Sequence, residues 1–283
     1  MKRITKEDLT SYRVYLINEE KADATVEKYL HDVVEFFSWC EQALGDTGLE
    51  KTDVLRYKAE LCEHYAPTSV NAALSSLNSF FGFMNWHELR IKNIKIQKQI
   101  FACADKELSK SEYERLLRAA IQKKNERLYL LMQAICSTGI RVSEVRYITV
   151  EAVRRGLAEI NCKGKRRLVL LPSQLCRMLE KYIKSKKIKS GAVFVTKNGN
   201  PLDRSNIWSD MKRLCKDANV DKNKVFPHNF RHLFARTYYS LQKDVVRLAD
   251  ILGHSNVNTT RIYTMESGKI HRRQIQKLGL LLC

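Results

Sequence analysis

The sequence predicts a mainly α-helical protein with one small antiparallel β-sheet, built as an N-terminal helical bundle followed by an α+β domain. Apolar residues recur at intervals of three and four along most of the chain, which is typical of amphipathic helices. Two short apolar stretches flank a Lys-Gly-Lys turn within residues 157–172, which indicates a β-hairpin. The charge also divides the chain, because residues 1–98 contain 13 Lys and Arg against 15 Asp and Glu, whereas the remaining residues contain 37 against 16.

The composition indicates a folded protein with a polyanionic partner. The chain of 283 residues is long enough for two domains with separate cores, and its hydrophobic content of 44% is typical of globular proteins. The net charge of +19 comes from the second part of the chain. A surface of that sign attracts phosphates or anionic membranes, and nucleic acid is the commoner partner. A basic surface that serves only solubility is the alternative, but it usually carries a smaller excess of charge.

Four helices are predicted within residues 1–90. Thr5 is placed to cap the first helix, and residues 24–44 repeat apolar side chains with helical spacing. Thr52 is expected to open the third helix. Pro67 is expected to begin the fourth, because the missing proline N–H costs nothing at that position.

The fourth predicted helix has a polar face beside its apolar stripe. Small polar side chains on a helix surface can contact phosphates closely, although they are more often only solvated. Both interpretations stay open for this face, which consists of Asn71, Ser75, Ser76, Asn78 and Ser79.

The basic residues 91–108 lack a regular apolar period and are predicted to form a linker. A capping box of Ser109 and Glu112 begins the second domain, which spans residues 109–283. Two helices follow, and Gly139 is expected to end the second of them. After the hairpin, helices resume near residue 173 and are interrupted by an apolar strand predicted over residues 192–196.

The cysteines and the terminus argue against a metal centre and against secretion. The eight cysteines form no CxxC pair and no zinc-type spacing, and most lie in apolar helical contexts where cysteine acts as a small hydrophobe. We therefore expect a reducing, cytoplasmic environment. The N-terminus lacks an apolar signal region, and no run of 18 apolar residues occurs, so a membrane span is not expected.

Four clusters in the basic part of the chain contain residue types suited to phosphate chemistry. The guanidinium fork of arginine binds phosphate oxygens in pairs. A tyrosine phenol has a pKa of about 10, so it needs a base and nearby positive charge before it attacks a phosphate. The clusters contain Arg141, Lys163, His228, Arg231, His254 and Tyr263.

Each of these residues also has an ordinary structural explanation. Arginines after helix ends are usually solvated, but Arg141 has apolar neighbours, and Glu144 lies within reach to orient it. His228 and His232 have the i,i+4 spacing of metal-binding helices, yet no HExxH pattern or nearby carboxylate completes such a site. A packing role is expected for His232, and Tyr263 taken alone is equally an ordinary buried aromatic.

Together the four clusters resemble the tyrosine recombinase family, which includes phage integrases and Xer-type recombinases. STGIRVSE is similar to the family's first arginine box, and CKGKRRLVLLP is similar to its lysine-bearing hairpin. HNFRHLFA is similar to the His-x-x-Arg box, and LGHSNVNTTRIYT to the His-then-Tyr box. The order and spacing of these boxes also agree over roughly residues 109–265. Residues 1–90 resemble, more weakly, the core-binding, SAM-like domain of the family.

The resemblance implies a site-specific recombinase that cleaves and rejoins double-stranded DNA through a 3′-phosphotyrosine intermediate, without a metal, ATP or another cofactor. Its products would be integration, excision, inversion or resolution of DNA. Tyr263 would attack the scissile phosphate, and Arg141 and Arg231 would hold the non-bridging oxygens of that phosphate.

The remaining roles also follow from the resemblance. His254 would donate to the same phosphate, and His228 would help to remove the tyrosine proton. Lys163 would protonate the leaving 5′ oxygen. Its neighbour Lys165 is the alternative acid, and the alignment of the hairpin favours Lys163.

The resemblance further implies assembly on DNA. The chain after Tyr263 carries an apolar stripe, and in the family such a helix docks on the neighbouring protomer, so we expect a tetramer on the recombination site. Packing of this helix on its own domain is the alternative. The first predicted helix begins almost at Met1, so we expect no counterpart of the arm-binding domain that larger members of the family carry. The sequence does not predict the target site or any accessory protein.

Two other classes of function compete with recombination. A type IB topoisomerase uses similar residues, but the His-x-x-Arg box and the compact helical N-terminal domain favour a recombinase. A catalytically silent DNA-binding protein is the second alternative. The sequence argues against it, because every expected catalytic position is filled.

Overall fold

A computed structural model of the protein describes residues 2–45, 47–96, 106–162, 165–263 and 276–277. Its contacts divide the chain into two compact units, Met1–Lys98 and Gln99–Cys283. The architecture is mainly helical with one two-stranded antiparallel sheet, which confirms the predicted fold class. Within the described ranges, no helix is long and apolar enough to cross a membrane.

Four α-helices are described in the N-terminal unit, as the apolar periodicity predicts. They are α1 (Lys6–Asn18), α2 (Asp23–Leu44), α3 (Lys51–His64) and α4 (Pro67–Phe83). Thr5 caps α1 as predicted, in a capping box with Asp8. The prediction that Thr52 opens the third helix is wrong. The N-cap residue is Glu50, whose backbone N–H donates to the Asp53 carboxylate at 2.9 Å.

The core of this unit is aromatic, and a buried polar pair connects two of its helices. Tyr12 and Phe80 are fully buried and pack edge to face, with ring centroids 5.1 Å apart. Beside them, the buried hydroxyl of Ser76 on α4 donates to the Asp32 carboxylate on α2 at 2.7 Å. Lys28 pairs with the same carboxylate from one helical turn away. The two helices therefore satisfy the buried polar groups between them.

Asn71 and Asn78 on the polar face of α4 bind backbone of the same unit. Asn71 exchanges two hydrogen bonds with the backbone of Ile94, at 2.7 and 2.9 Å. Asn78 does the same with Ile91, at 2.8 and 3.0 Å. The face is thus more than a solvated surface at these two positions. Residues 91–94 lie against α4, although the sequence places the start of the linker there.

Seven helices and a hairpin are described in the C-terminal unit. They are α5 (Lys110–Gln122), α6 (Glu126–Thr138), α7 (Val150–Arg155), β1 (Leu157–Cys162), β2 (Lys165–Leu170), α8 (Ser173–Ser185), α9 (Arg204–Arg213), α10 (Pro227–Gln242) and α11 (Val245–Leu252). Ser109 and Glu112 form the predicted capping box at the start of α5. Gly139 ends α6 as predicted, in the left-handed conformation with φ +64°.

The predicted hairpin is confirmed, and the register of its two strands shows where the turn begins and ends. Leu157 lies opposite Leu170, and Cys162 lies opposite Lys165. Lys165 therefore belongs to β2, whereas the sequence places it in the turn. The predicted strand over residues 192–196 is wrong, because this segment contributes only isolated bridges.

Candidate active site

A cavity of about 620 Å³ in the C-terminal unit brings together four of the six predicted site residues, Arg141, His228, Arg231 and His254. Tyr263 does not line the cavity but lies beside it, with its ring stacked 6.3 Å from the ring of His254, centroid to centroid. Lys163 lies outside the described residues. The fold thus joins side chains that are more than a hundred residues apart in sequence.

Arg231 is the most deeply buried cation of the cavity, with 2% of its surface exposed. Its guanidinium donates to the backbone carbonyls of Gly139 and Leu252, the second at 2.8 Å, and lies 3.0 Å from His254 Nε2. Burial, together with the charge of Arg141, lowers the pKa of Arg231 to about 10. Arg231 therefore stays charged at neutral pH, and its position is fixed before any ligand binds.

Arg141 lies at the junction after α6 and is held by a carboxylate and a carbonyl. Its Nη1 donates to Glu144 Oε1 at 2.9 Å, and its Nη2 donates to the carbonyl of Gly253 at 3.2 Å. The predicted orientation of Arg141 by Glu144 is thus confirmed. Burial raises the pKa of the Glu144 carboxyl, but hydrogen bonds from Arg167 and Arg141 outweigh it, so the pKa lies below its usual value.

His254 is held as a neutral ring between two partners. Because arginine only donates hydrogen bonds, His254 Nε2 accepts from Arg231. The ring proton therefore lies on Nδ1, which donates to the hydroxyl of Thr260 at 2.8 Å. Burial, then the charges of Arg231 and Arg141, lower the pKa of His254 to about 4. Thr260 is fully buried and connects the loop after His254 to the turn that carries Tyr263.

Tyr263 is buried, with 5% of its surface exposed, and it contacts two histidine rings. The ring of His232 meets it edge to face, with centroids 4.9 Å apart. Burial raises the pKa of Tyr263 above its usual value, although the positive charges of Arg231 and Arg141 oppose this shift. The phenol is therefore protonated at neutral pH in this structure, and its attack on a phosphate needs a base.

His228 lies in the first turn of α10, where the sequence predicts a helix start at Pro227. Its Nε2 lies 2.8 Å from the Nε2 of His232, so the two rings share one hydrogen bond. Burial and the charges of Arg231 and Arg141 lower the pKa of His228. Among the described residues no group of three metal-binding side chains is found, so this pair has no third ligand there. The N-terminus of α10 adds its own attraction for an anion.

The sequence interpretation missed Arg167, which contacts Glu144 Oε2 through its Nη2 at 2.6 Å. A signal for it exists in the hairpin, because residues of a strand alternate between two faces. Leu168 and Leu170 are exposed, whereas Val169 is buried. Arg167 is on the same face as Val169, and an arginine on the inward face of a strand indicates a buried partner.

Arg204 and Trp208 of α9 were also missed, and both line the cavity. The indole of Trp208 is half exposed, and Lys212 lies over its ring at 5.1 Å from the centroid. No motif marks these positions in the sequence, because they join the cavity only through the packing of α9.

These features place two fixed guanidinium groups next to a tyrosine and several neutral histidines, an arrangement whose charge suits an anionic ligand such as a phosphate diester. Such a site belongs to the class of phosphoryl-transfer enzymes that use a tyrosine side chain.

Comparison with known proteins identifies the family. The phage integrase family matches residues 106–269, and the N-terminal SAM-like domain of phage integrases matches residues 9–88. Tyrosine recombinase XerA of Pyrococcus horikoshii is 27% identical, over 98% of this chain and 95% of that protein. Tyrosine recombinase XerA of Thermococcus kodakarensis is 29% identical, over 98% of this chain and 96% of its own length.

Solved structures share the fold. A lambda integrase dimer bound to a COC′ core site superposes with a TM-score of 0.75 at 16% identity, covering 94% of this chain and 96% of that chain. XerH bound to its difH substrate gives a TM-score of 0.72 at 19% identity, and the match covers 98% of this chain and 85% of that chain. A lambda integrase tetramer bound to a Holliday junction gives a TM-score of 0.70 at 17% identity, and the match covers 91% of this chain and 76% of that chain. The chain belongs to the phage integrase family and is a site-specific recombinase of the tyrosine type.

Proposed function

We propose that this chain recombines specific double-stranded DNA sites, with Tyr263 as the nucleophile and a 3′-phosphotyrosine as the intermediate. The observation that carries the proposal is the convergence of two fixed arginines and two histidines on one cavity beside this tyrosine. In this proposal, residues 1–90 bind the DNA site and residues 109–283 cleave and rejoin the DNA. Residues 91–108 form the linker between these two domains.

The cavity binds the scissile phosphate through Arg141 and Arg231. Both guanidinium groups are held by backbone carbonyls before DNA arrives, so little reorganisation is needed when charge gathers on the phosphate oxygens. The bound anion also raises the pKa of His254, because it favours the protonated ring. His254 then takes up a proton and donates through Nε2 to the phosphate instead of accepting from Arg231.

Cleavage involves two proton transfers, one from the attacking tyrosine oxygen and one to the leaving 5′ oxygen. The Tyr263 oxygen bonds to phosphorus and gives its proton to His228, whose Nδ1 is the nitrogen that does not face His232. The bond between phosphorus and the 5′ oxygen breaks, and Lys163 protonates that oxygen. Rejoining reverses these steps with the 5′ hydroxyl of the partner strand, so the phosphotyrosine conserves the bond energy and no nucleotide cofactor is needed.

Recombination needs four active sites on two duplexes, and we propose a DNA-bound tetramer. The lambda integrase tetramer on a Holliday junction has the same fold, which supports this arrangement. We further propose that the protein acts in the cytoplasm, associated with the nucleoid when bound to DNA.

The test traps the covalent intermediate. Nicked duplexes are made from inverted repeats around a short spacer in the DNA that flanks the gene, and the covalent product is measured on a denaturing gel. We expect an adduct with the wild type and none with Tyr263→Phe. Tyr239→Phe is the matched control, because Tyr239 packs against the same hydrophobic cluster, and it should react like the wild type. No adduct with the wild type, or an adduct with Tyr263→Phe, contradicts the mechanism.

A plasmid with two sites separates recombination from topoisomerase action. We expect exchange of the DNA segments that flank the two sites. Relaxation of the plasmid without exchange assigns the protein to the topoisomerase class instead.

A further inference from the structure

The last turn of α11 presents three consecutive carbonyls, and each accepts a hydrogen bond from a different arginine. The carbonyl of Ile251 accepts from Arg167 Nη1 at 2.9 Å. The next two carbonyls, of Leu252 and Gly253, accept from Arg231 and Arg141. The last carbonyls of a helix have no partner within the helix and carry its negative dipole end, so this turn is a natural binding place for cations.

Arg167 differs from the other two arginines in its position, because it does not line the cavity of about 620 Å³ but lines an adjoining pocket, which it shares with Arg141 and His254. It comes from β2, and 15% of its side chain is exposed. Its second amino group donates to Glu144, which in turn holds Arg141. Arg167 thus joins the hairpin, the α11 turn and the carboxylate that orients a cavity arginine.

The backbone at Gly253 is shaped around Arg167. Gly253 has φ +64°, and a Cβ atom at this position would lie 2.5 Å from Cδ of Arg167. Glycine is therefore favoured by the left-handed turn and required by the close approach of this side chain.

The charges of this network do not cancel. Two of the three guanidinium groups, those of Arg141 and Arg167, pair with the one buried carboxylate of Glu144, whereas Arg231 is held by backbone carbonyls. Without Arg167, the Glu144 carboxylate would pair with Arg141 alone, and the Ile251 carbonyl would lose its donor. The Glu144–Arg141 pair would then settle closer together and draw the Arg141 guanidinium away from the cavity.

We infer that Arg167 is a positioning residue of the recombination site, which holds Glu144 and the α11 turn so that Arg141 faces the scissile phosphate. This inference rests on the proposed function. It assigns to the hairpin a second task besides carrying the lysine.

The test compares a charged and an uncharged scissile linkage. Arg167→Lys keeps the positive charge but cannot bind two acceptors in a fixed fork. We expect its rate of adduct formation on the nicked phosphodiester duplex to fall about 100-fold, as a misplaced catalytic group does. A methylphosphonate at the scissile position carries no charge on its non-bridging oxygen and depends less on Arg141. The loss relative to the wild type should therefore shrink to about tenfold or less on this substrate.

The matched control is Arg155→Lys, since Arg155 makes an exposed pair with Glu159 on the same hairpin and should react like the wild type on both substrates. Thermal unfolding monitors the fold of each variant. If Arg167→Lys does not fold, Arg167→Gln, which still donates to one carbonyl, is used for the same comparison.

The outcomes separate the two proposals. An equal loss on both substrates makes Arg167 merely structural and overturns the inference, as does a wild-type rate on the phosphodiester. In either case an adduct with the wild-type protein leaves the proposed function intact. No adduct with the wild type overturns the proposed function, and the inference with it.

Discussion

The two units of the molecule treat buried charge in opposite ways. In the N-terminal unit the buried carboxylate of Asp32 is matched by Lys28 and by the hydroxyl of Ser76. In the C-terminal unit Arg231 is buried among backbone carbonyls, and its neighbour Arg141 shares one carboxylate with Arg167. One unit neutralises its buried charge, whereas the other keeps an excess of positive charge.

This difference indicates what each unit is built for. A neutralised polar pair orients two helices and offers nothing to a ligand. Cations held by carbonyls keep most of their charge, because a carbonyl is a dipole and not a counter-ion. The excess attracts an anion, and it costs stability until that anion binds. The comparison therefore predicts that changes at the arginines affect reaction with DNA, and that changes at Asp32 affect only folding.

Among changes at the charged groups compared above, the largest effect on the reaction is expected from Arg231→Lys. A lysine ammonium cannot bind both carbonyls and the phosphate in the fixed geometry of a guanidinium, so we expect cleavage of the nicked duplex to slow by about 1,000-fold. Rates of adduct formation measure this loss. Unfolding in denaturant serves as the control, and a rate near that of the wild type would show that the cavity does not bind the scissile phosphate.

A smaller effect is expected from pH, through His254. Its pKa of about 4 in the free protein rises when an anion binds, so DNA binding takes up a proton. The affinity for DNA should therefore increase as the pH falls from 8 to 6, by up to about tenfold per pH unit. Fluorescence anisotropy at constant ionic strength measures this dependence. His254→Asn should flatten it, and an unchanged slope in that variant would assign the proton to another group.

The same pKa shift has a consequence for folding in the absence of DNA. An unfolded histidine has a pKa of about 6.5, so between pH 6.5 and 4 the unfolded chain binds more protons than the folded one. The stability that comes from keeping His254 neutral is complete above about pH 6.5. It decreases as the pH falls towards the folded pKa of about 4.

No effect on the reaction is expected from Asp32→Ala. This change leaves the buried Ser76 hydroxyl without its acceptor on α2, so the free energy of unfolding should fall by about 1–3 kcal/mol. The rate of adduct formation under native conditions should stay that of the wild type. Glu27→Ala, at an exposed ion pair on the same helix, is the control and should change stability by about 0.5 kcal/mol or less. A slower reaction of folded Asp32→Ala protein would show that the two units do not divide these tasks.

Much of the fold and of the candidate site could be predicted from the sequence, because the signals are local. Helix starts at Thr5, Ser109 and Pro67 follow from side chains that satisfy or dispense with the first N–H groups. The stop at Gly139 follows from the left-handed conformation that glycine favours. The site boxes could be recognised for a similar reason, since each lies within a short stretch of chain.

In two places where the sequence interpretation fell short, a distant partner decided the outcome. Asn71 and Asn78 resemble solvated or phosphate-contacting residues, but they bind the backbone of residues 91–94. The apolar segment 192–196 resembles a strand, but only isolated bridges to other segments form there. Neither partner can be read from the local pattern.

The sequence by itself determined the helices, the hairpin, the excess of positive charge and the identity of the residues around Tyr263. Only the tertiary structure decided that three arginines meet the last turn of α11, and that His254 accepts from one of them. The physical reason is that helix starts, helix stops and strand alternation depend on neighbours along the chain. The direction and protonation of a buried side chain depend on acceptors that come together only when the chain has folded.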